Sequence, residues 1–271
     1  MGGILIPNLL TLNKSQNLKG NINHSVCSWC YDFLPFEKLC KEAQEIGLVG
    51  IDLAGPKNWP LLKKYDLQST MCNGAEINLV DGWNDKQYHA TLIKNYAEMI
   101  PLVAEAGYKN LICFSGNRNG KDDETGLENC EEGLKKIITL AEKHKVTVVM
   151  ELLNSCIDHP DYQCDRTTWG VNLTKRLDSE HFKLLYDIYH MQIEEGNVIK
   201  TIQDNHQYIA HYHTAGVPGR NEIDEMQELN YPAIMHAIVA TGFKGVVAQE
   251  FIPIKDNKIE SLKIAVNLCD V

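Results

Sequence analysis

Lys145–Glu151, KVTVVME, is the stretch that decides the fold. Val146, Val148 and Val149, with Thr147 and Met150 between and after them, make a short β-branched run that reads as a buried strand. A carboxylate at the tip of such a strand is costly to desolvate unless something pairs with it, and this run ends on Glu151. The pattern recurs three times: FKLLYD ends on Asp187, YIAHYH on His213 and GVVAQE on Glu250. Four strands that each deliver a metal-competent or proton-transferring side chain at the same end match the way a parallel barrel assembles an active site.

Outward from that stretch the chain alternates. NINHSVCSW reads as a first strand, and PFEKLCKEAQEIG as an amphipathic helix stopped at Gly47. LVGIDL, LQSTMCN and NLICFSG are the next strands; WPLLKKYD, Gln87–Ala106 and Cys130–His144 are the helices between and after them. NRNGKDDETG reads as a polar, glycine-rich loop. In the second half, helices over Thr168–Leu177, Val198–Asn205, Pro232–Thr241 and Lys258–Leu268 alternate with the three strands already named. From Ser25 to Glu250 is 225 residues, about 32 for each of seven repeats, which suits one βα unit per repeat. The expected architecture is α/β: a single (β/α)₈ TIM barrel over residues 21–271, with residues 1–20 as a short N-terminal extension. A doubly wound sheet is the competing α/β arrangement, but no G-x-G-x-x-G follows the first strand.

Composition narrows the partners. A formal net charge of −10 argues against DNA or RNA, whose phosphates call for a basic surface, but not against a small anion met by one local cation. MGGILIPNLLTL carries no Lys or Arg ahead of its apolar residues and is too short to span a bilayer, so no membrane partner is expected. Nine cysteines, with Cys27 and Cys30 as the C-x-x-C pair, form neither an even disulfide set nor a zinc-ribbon spacing. They read as reduced, mostly buried thiols of a cytoplasmic protein, with a redox role for Cys27 and Cys30 as the minor alternative. A cleaved export signal and a homo-oligomeric assembly both stay open.

Each strand-end acid taken singly has a bland reading, as a helix cap or a solvated loop residue. Their joint occurrence at intervals of 36, 26 and 37 residues is harder to dismiss. Adjacent strands of a barrel lie about 5 Å apart, so Glu151, Asp187, His213 and Glu250 can converge on one point. Three crowded carboxylates repel, and a divalent cation would hold them ionised. Three oxygen donors and one nitrogen suit Mn²⁺ or Mg²⁺ best, with Co²⁺ or Zn²⁺ as alternatives. His190, three residues past Asp187, is placed to polarise a substrate oxygen, and Arg220, behind the Pro218–Gly219 turn, to present a guanidinium inward. His211 alternates with His213 and is expected to point away from the site, with a structural role.

VMELLNS, YDIYHMQ, HYHTAGVPGRNEID and VVAQEF resemble four motifs of the xylose-isomerase-like sugar isomerase/epimerase superfamily, and within it the hydroxypyruvate isomerase family. The resemblance covers roughly residues 21–269. It implies a TIM barrel with one metal held by Glu151, Asp187, His213 and Glu250, a proton shuttled by Glu151 and Glu250, and a substrate engaged by His190 and Arg220. Hydroxypyruvate isomerases often carry Gln where His213 stands, whereas ketose 3-epimerases carry His; the VPGR turn matches the former. The implied activity is aldose–ketose isomerisation of a small hydroxy-carbonyl or sugar substrate, most simply hydroxypyruvate to tartronate semialdehyde. Return of the proton to the opposite face would instead give a 3-epimerase. An inosose-type dehydratase, a barrel that binds metal and sugar without turnover, and metal-assisted phosphodiester cleavage are the remaining alternatives. The last needs a larger His/Asp/Glu set for three zinc ions.

Overall fold

The β-branched and aromatic runs do become strands, and the glycines and polar clusters between them become the turns that reverse the chain. The computed structural model describes residues 18–271, so the N-terminal extension, as far as residue 17, lies outside the described residues. The order is β1 (Asn23–Cys27), α1 (Phe36–Ile46), β2 (Gly50–Asp52), α2 (Trp59–Lys64), β3 (Gln68–Met71), α3 (His89–Glu105), β4 (Asn110–Cys113) and α4 (Asp123–His144). It continues with β5 (Thr147–Leu152), α5 (Thr167–Leu177), β6 (Phe182–Asp187), α6 (Ile188–Glu194), α7 (Val198–Asn205), β7 (Ile209–Thr214), α8 (Tyr231–Ala240), β8 (Val246–Gln249) and α9 (Lys258–Cys269).

All eight strands are parallel neighbours in the order β3-β2-β1-β8-β7-β6-β5-β4. The circle closes through one parallel bridge, Cys72 with Leu111, where Cys72 donates to Asn110 and accepts from Ile112, each at 2.9 Å. The fold is a TIM barrel, as the repeat length predicts. Its helices turn an apolar face to the strands: in α1 the buried residues are Leu39, Cys40, Ala43 and Ile46, spaced one helical stripe apart. Gly47 ends that helix with φ of 94°, a left-handed conformation that costs glycine little, and donates back to Ala43 at 3.1 Å.

Three departures from the sequence reading have local causes. The helix expected from Cys130 begins at Asp123, because Asp122 caps it by accepting from the Thr125 amide at 2.7 Å and Asp123 and Glu124 favour the positive end of the helix dipole. The last four residues of the supposed loop after β4, Asp123 to Gly126, are therefore helix. A seven-residue helix, α6, follows β6 directly where none was expected. His211 points into the barrel rather than away from the site, since residues two apart on a strand share a face, and it is wholly buried. All nine cysteines are free thiols, eight buried and Cys156 exposed, so Cys27 and Cys30 are not bonded to each other. Among the described residues no helix is long and apolar enough to cross a membrane.

Candidate metal centre

Strand register brings the four expected side chains together at the carboxyl end of the barrel. Asp187 pairs with His213 across β6 and β7, and Glu250, one residue past β8, donates its amide to Thr214 at 2.9 Å. Glu151, Asp187, His213 and Glu250 are all buried, and each offers a ligand atom within 4.8 Å of those of the other three. His213 Nδ1 lies 3.1 Å from Glu151 Oε1 and 2.9 Å from Glu250 Oε2. Asp187 divides its two oxygens. Oδ1 caps α6 by accepting the amides of Tyr189 and His190 at 2.8 and 3.2 Å, while Oδ2 makes no hydrogen bond among the described residues. The bland reading of this acid as a helix cap therefore accounts for one oxygen and not for the other.

The electrostatics are those of a site with too many anions. Burial, with Arg220 opposing and Glu250 reinforcing, pushes the Asp187 carboxyl up to about 8. Burial and the Glu250 charge likewise raise Glu151. Glu250 goes the other way: burial works against it, but His213 and Arg220 hold it well below the usual carboxylate range. Burial disfavours the charged form of His213, yet the surrounding anions, Glu250 and Asp52 among them, lift it well above an ordinary histidine. Protons held on His213 and on the raised carboxyls thus relieve the crowding of acids, and a divalent cation at the same point would replace them.

The two expected substrate residues also face this point. Gly216 lets the loop after β7 double back on itself, because a side chain there would strike the Glu222 carbonyl at 2.4 Å. The turn sets Arg220 at φ of 59°, with its amide donating to Gly216 and its carbonyl accepting from Ile252. Its guanidinium lies between the rings of Trp29 and Tyr189, at 5.1 and 5.5 Å from their centroids. Nη2 donates to Glu250 Oε2 at 2.6 Å and stands 3.6 Å from Asp187 Oδ2, whereas Nε makes no hydrogen bond among the described residues. His190 is fully buried, and burial drives it well below its ordinary value, so it is neutral.

The neighbours of His190 fix its proton. Asn154 Oδ1 accepts the amides of Ile157 and Asp158, each at 3.0 Å, which turns its NH₂ toward His190 Nδ1 at 2.7 Å. Nδ1 is then the acceptor and Nε2 carries the hydrogen, unpartnered among the described residues and 3.7 Å from Asp187 Oδ2. Sequence reasoning missed Asn154, although it sits three residues past Glu151. It also missed Trp29, whose Nε1 donates to Glu250 Oε1 at 2.8 Å. A third omission is Asp52, the strand-end acid of β2. The Asp52 Oδ2 atom lies 3.1 Å from His213 Nε2 and 2.5 Å from His211 Nε2. Its signal was the one used for the others, an acid closing a buried strand. A cavity of about 350 Å³ opens above the cluster, walled by Trp29, Leu53, Leu79, Phe114 and Leu153, with Glu151, His159, Arg220 and Glu250 on its polar side.

The family model of the xylose isomerase-like TIM barrel matches residues 59–266. The chain belongs to that family. A 2-oxo-tetronate isomerase of Cupriavidus necator is 34 % identical over 122 residues, 45 % of this chain and 46 % of that one. A human protein provisionally named a hydroxypyruvate isomerase is 28 % identical over 131 residues, 48 % of this chain and 47 % of its own. These two matches span about half the length of the relatives concerned. A second 2-oxo-tetronate isomerase, from Pectobacterium atrosepticum, is 26 % identical over 239 residues, 83 % of this chain and 90 % of that one. Among solved structures, an AP endonuclease of family 2 from Brucella melitensis superposes with a TM-score of 0.78 at 23 % identity, covering 88 % of this chain and 96 % of the other. At that identity the likeness is one of fold.

Proposed function

We propose that the protein is a metal-dependent isomerase that moves the carbonyl of a small 3-hydroxy-2-oxo acid to the neighbouring carbon, with hydroxypyruvate to tartronate semialdehyde as the simplest case. The observation that carries this reading is His213 Nδ1, aimed at Glu151 and Glu250 beside an unbonded Asp187 oxygen. One imidazole nitrogen and three carboxyl groups turned toward one point are the donor set of an oxygen-rich divalent site, Mn²⁺ or Mg²⁺ first, Co²⁺ or Zn²⁺ next. A cation bound there supplies the charge that keeps these groups ionised and acidifies the C–H beside the substrate carbonyl.

The chain's own residues do the rest. Glu151 comes from β5 and Glu250 from beyond β8, so they reach the reacting carbons from different sides. One takes the proton from C3, which leaves an enediolate; the other returns a proton to C2, while the hydroxyl proton passes from O3 to O2. His190 Nε2–H, with no partner of its own, donates to a substrate oxygen. Arg220 has Nε free and binds the substrate carboxylate from between its two aromatic neighbours. Hydroxypyruvate and 2-oxo-tetronate, the compounds in the relatives' names, share the carboxylate, carbonyl and hydroxyl that this arrangement would grip. The apolar walls of the cavity exclude water from the reacting carbons.

The test is solvent deuterium exchange followed by NMR, with Mg²⁺ supplied and hydroxypyruvate, 2-oxo-tetronate, fructose, tagatose and inosose compared. Deuterium should enter the 2-oxo acids, and Glu151→Gln and Glu250→Gln should each slow this by roughly 10² or more, the scale of a lost general base. Metal content is checked in each variant. Exchange confined to a ketose would make the protein an epimerase. Exchange with none of these compounds would leave a barrel that binds without turnover.

A further inference from the structure

We infer that Asp52 is a positioning residue: anchored in the barrel axis, it holds the His213 ring in the orientation and tautomer that turn Nδ1 toward Glu151, Asp187 and Glu250. This rests on the metal reading of that cluster.

Asp52 is wholly buried, at the end of β2, on the far side of β1 and β8 from His213. A carboxylate in the interior of a barrel is costly unless its lone pairs are used, and here they are used by three other strands. Ser25 of β1 donates to Oδ1 at 2.6 Å, and Thr70 of β3 donates to the same oxygen. His211 and His213 of β7 meet Oδ2 at 2.5 and 3.1 Å. A carboxylate only accepts, so both imidazoles put their Nε2–H toward it. For His213 that leaves Nδ1, on the edge of the ring that faces the three acids, as the nitrogen that can coordinate once its proton is lost. Ser25, Thr70 and His211 fix the carboxylate in turn, so the ring's direction is set from below by four strands rather than by its own rotamer. The negative charge behind the ring also makes Nδ1 a stronger donor. His211, read from sequence as an outward structural residue, is thus part of the anchor.

A different role is conceivable for such a group: a buried pair that only fills the barrel. The two separate experimentally, because an apolar side chain of similar volume can replace a filler but cannot orient an imidazole. The probe is Mn²⁺ itself, titrated into chelator-treated protein while the free ion is followed by electron paramagnetic resonance. Wild type is compared with Asp52→Asn and Asp52→Leu, and folding is checked by circular dichroism. We expect Mn²⁺ to bind at least tenfold more weakly to Asp52→Asn, and up to about a hundredfold more weakly to Asp52→Leu, the range for lost partners of metal-bound histidines. In the Zn²⁺-loaded protein, ¹⁵N NMR should find the His213 proton on Nε2 in wild type and a mixed or reversed tautomer in Asp52→Leu. If Asp52→Leu does not fold, Asp52→Asn decides alone. Affinity within twofold of wild type in folded Asp52→Asn overturns the positioning role while leaving the metal site standing. A wild type that binds neither Mn²⁺ nor Zn²⁺ overturns both.

Discussion

Raising the pH from 6 to 8 should tighten divalent-cation binding far more than an ordinary carboxylate site would show. Without the cation, burial and the neighbouring Glu250 push Asp187 up to about 8. At pH 7 such a carboxyl is ionised in about one molecule in eleven, which costs about 1.4 kcal/mol, or tenfold, in affinity for a ligand that needs the anion. At pH 6 the loss is about a hundredfold. An unshifted aspartate would be ionised throughout this range. His213, whose protonation is favoured by the same anions, must give up a second proton before Nδ1 can coordinate. The apparent association constant should therefore rise by between one and two powers of ten per pH unit below 8, and less steeply above it, where Asp187 is already ionised. Calorimetric titration with MnCl₂ in buffers of different ionisation enthalpy counts the protons, and between one and two should be released at pH 7. Stability follows the same sign. Both groups hold protons more tightly folded than unfolded, so the metal-free protein loses stability as pH rises, across about 4 to 8 for Asp187 and from about 6.5 upward for His213. The gap in Tm between loaded and chelated protein should widen over that window. Metal affinity that is flat from pH 6 to 8, with no proton released, would refute this account of the cluster.

Two substitutions test the groups assigned to the substrate. Arg220→Lys keeps a charge but loses the planar fork held between Trp29 and Tyr189, and should lower kcat/KM for hydroxypyruvate or 2-oxo-tetronate tenfold or more, since charged hydrogen bonds contribute about 1.5–3 kcal/mol. Steady-state kinetics unchanged in both Arg220→Lys and Arg220→Ala would return this residue to an ordinary loop role. Asn154→Asp keeps the oxygen that caps the loop but makes His190 Nδ1 the donor, so Nε2 loses its hydrogen. Turnover should fall by about tenfold or more with Mn²⁺ affinity preserved, and equal turnover would remove His190 as a donor.

What could be read without coordinates was whatever lies on a single strand or turn. Glu151, Asp187, His213 and Glu250 each close a buried run, so direction and periodicity sufficed to name them, and the Pro218–Gly219 turn sufficed for Arg220. The β/α alternation was legible because its two hydrophobic periods differ. The partners that arrive across the barrel were not. Asp52 meets His213 only because strands three places apart in the closed sheet tilt their interior side chains to one axis, and no local pattern encodes that. Trp29 reaches Glu250 from the first βα loop because β1 and β8, far apart in sequence, are neighbours in the closed sheet. His211 is another matter: the period of two places it on the same face as His213, and the rule was applied with the wrong sign. The early start of α4 was legible too, in Asp122 followed by Thr125, but the glycines around it outweighed the cap.

The circle of strands has one thin joint. Between β3 and β4 it is held by two backbone hydrogen bonds at Cys72, whereas β5 to β8 are laced together along most of their length. Every candidate ligand rides on that laced half. Thermal breathing or an inserted segment would part the barrel at Cys72 first, on the opposite wall from the cluster. The stave that can yield is thus kept away from the staves whose spacing sets the chemistry, and a hinge at the joint would leave the four donors in register while the rest of the cylinder flexed.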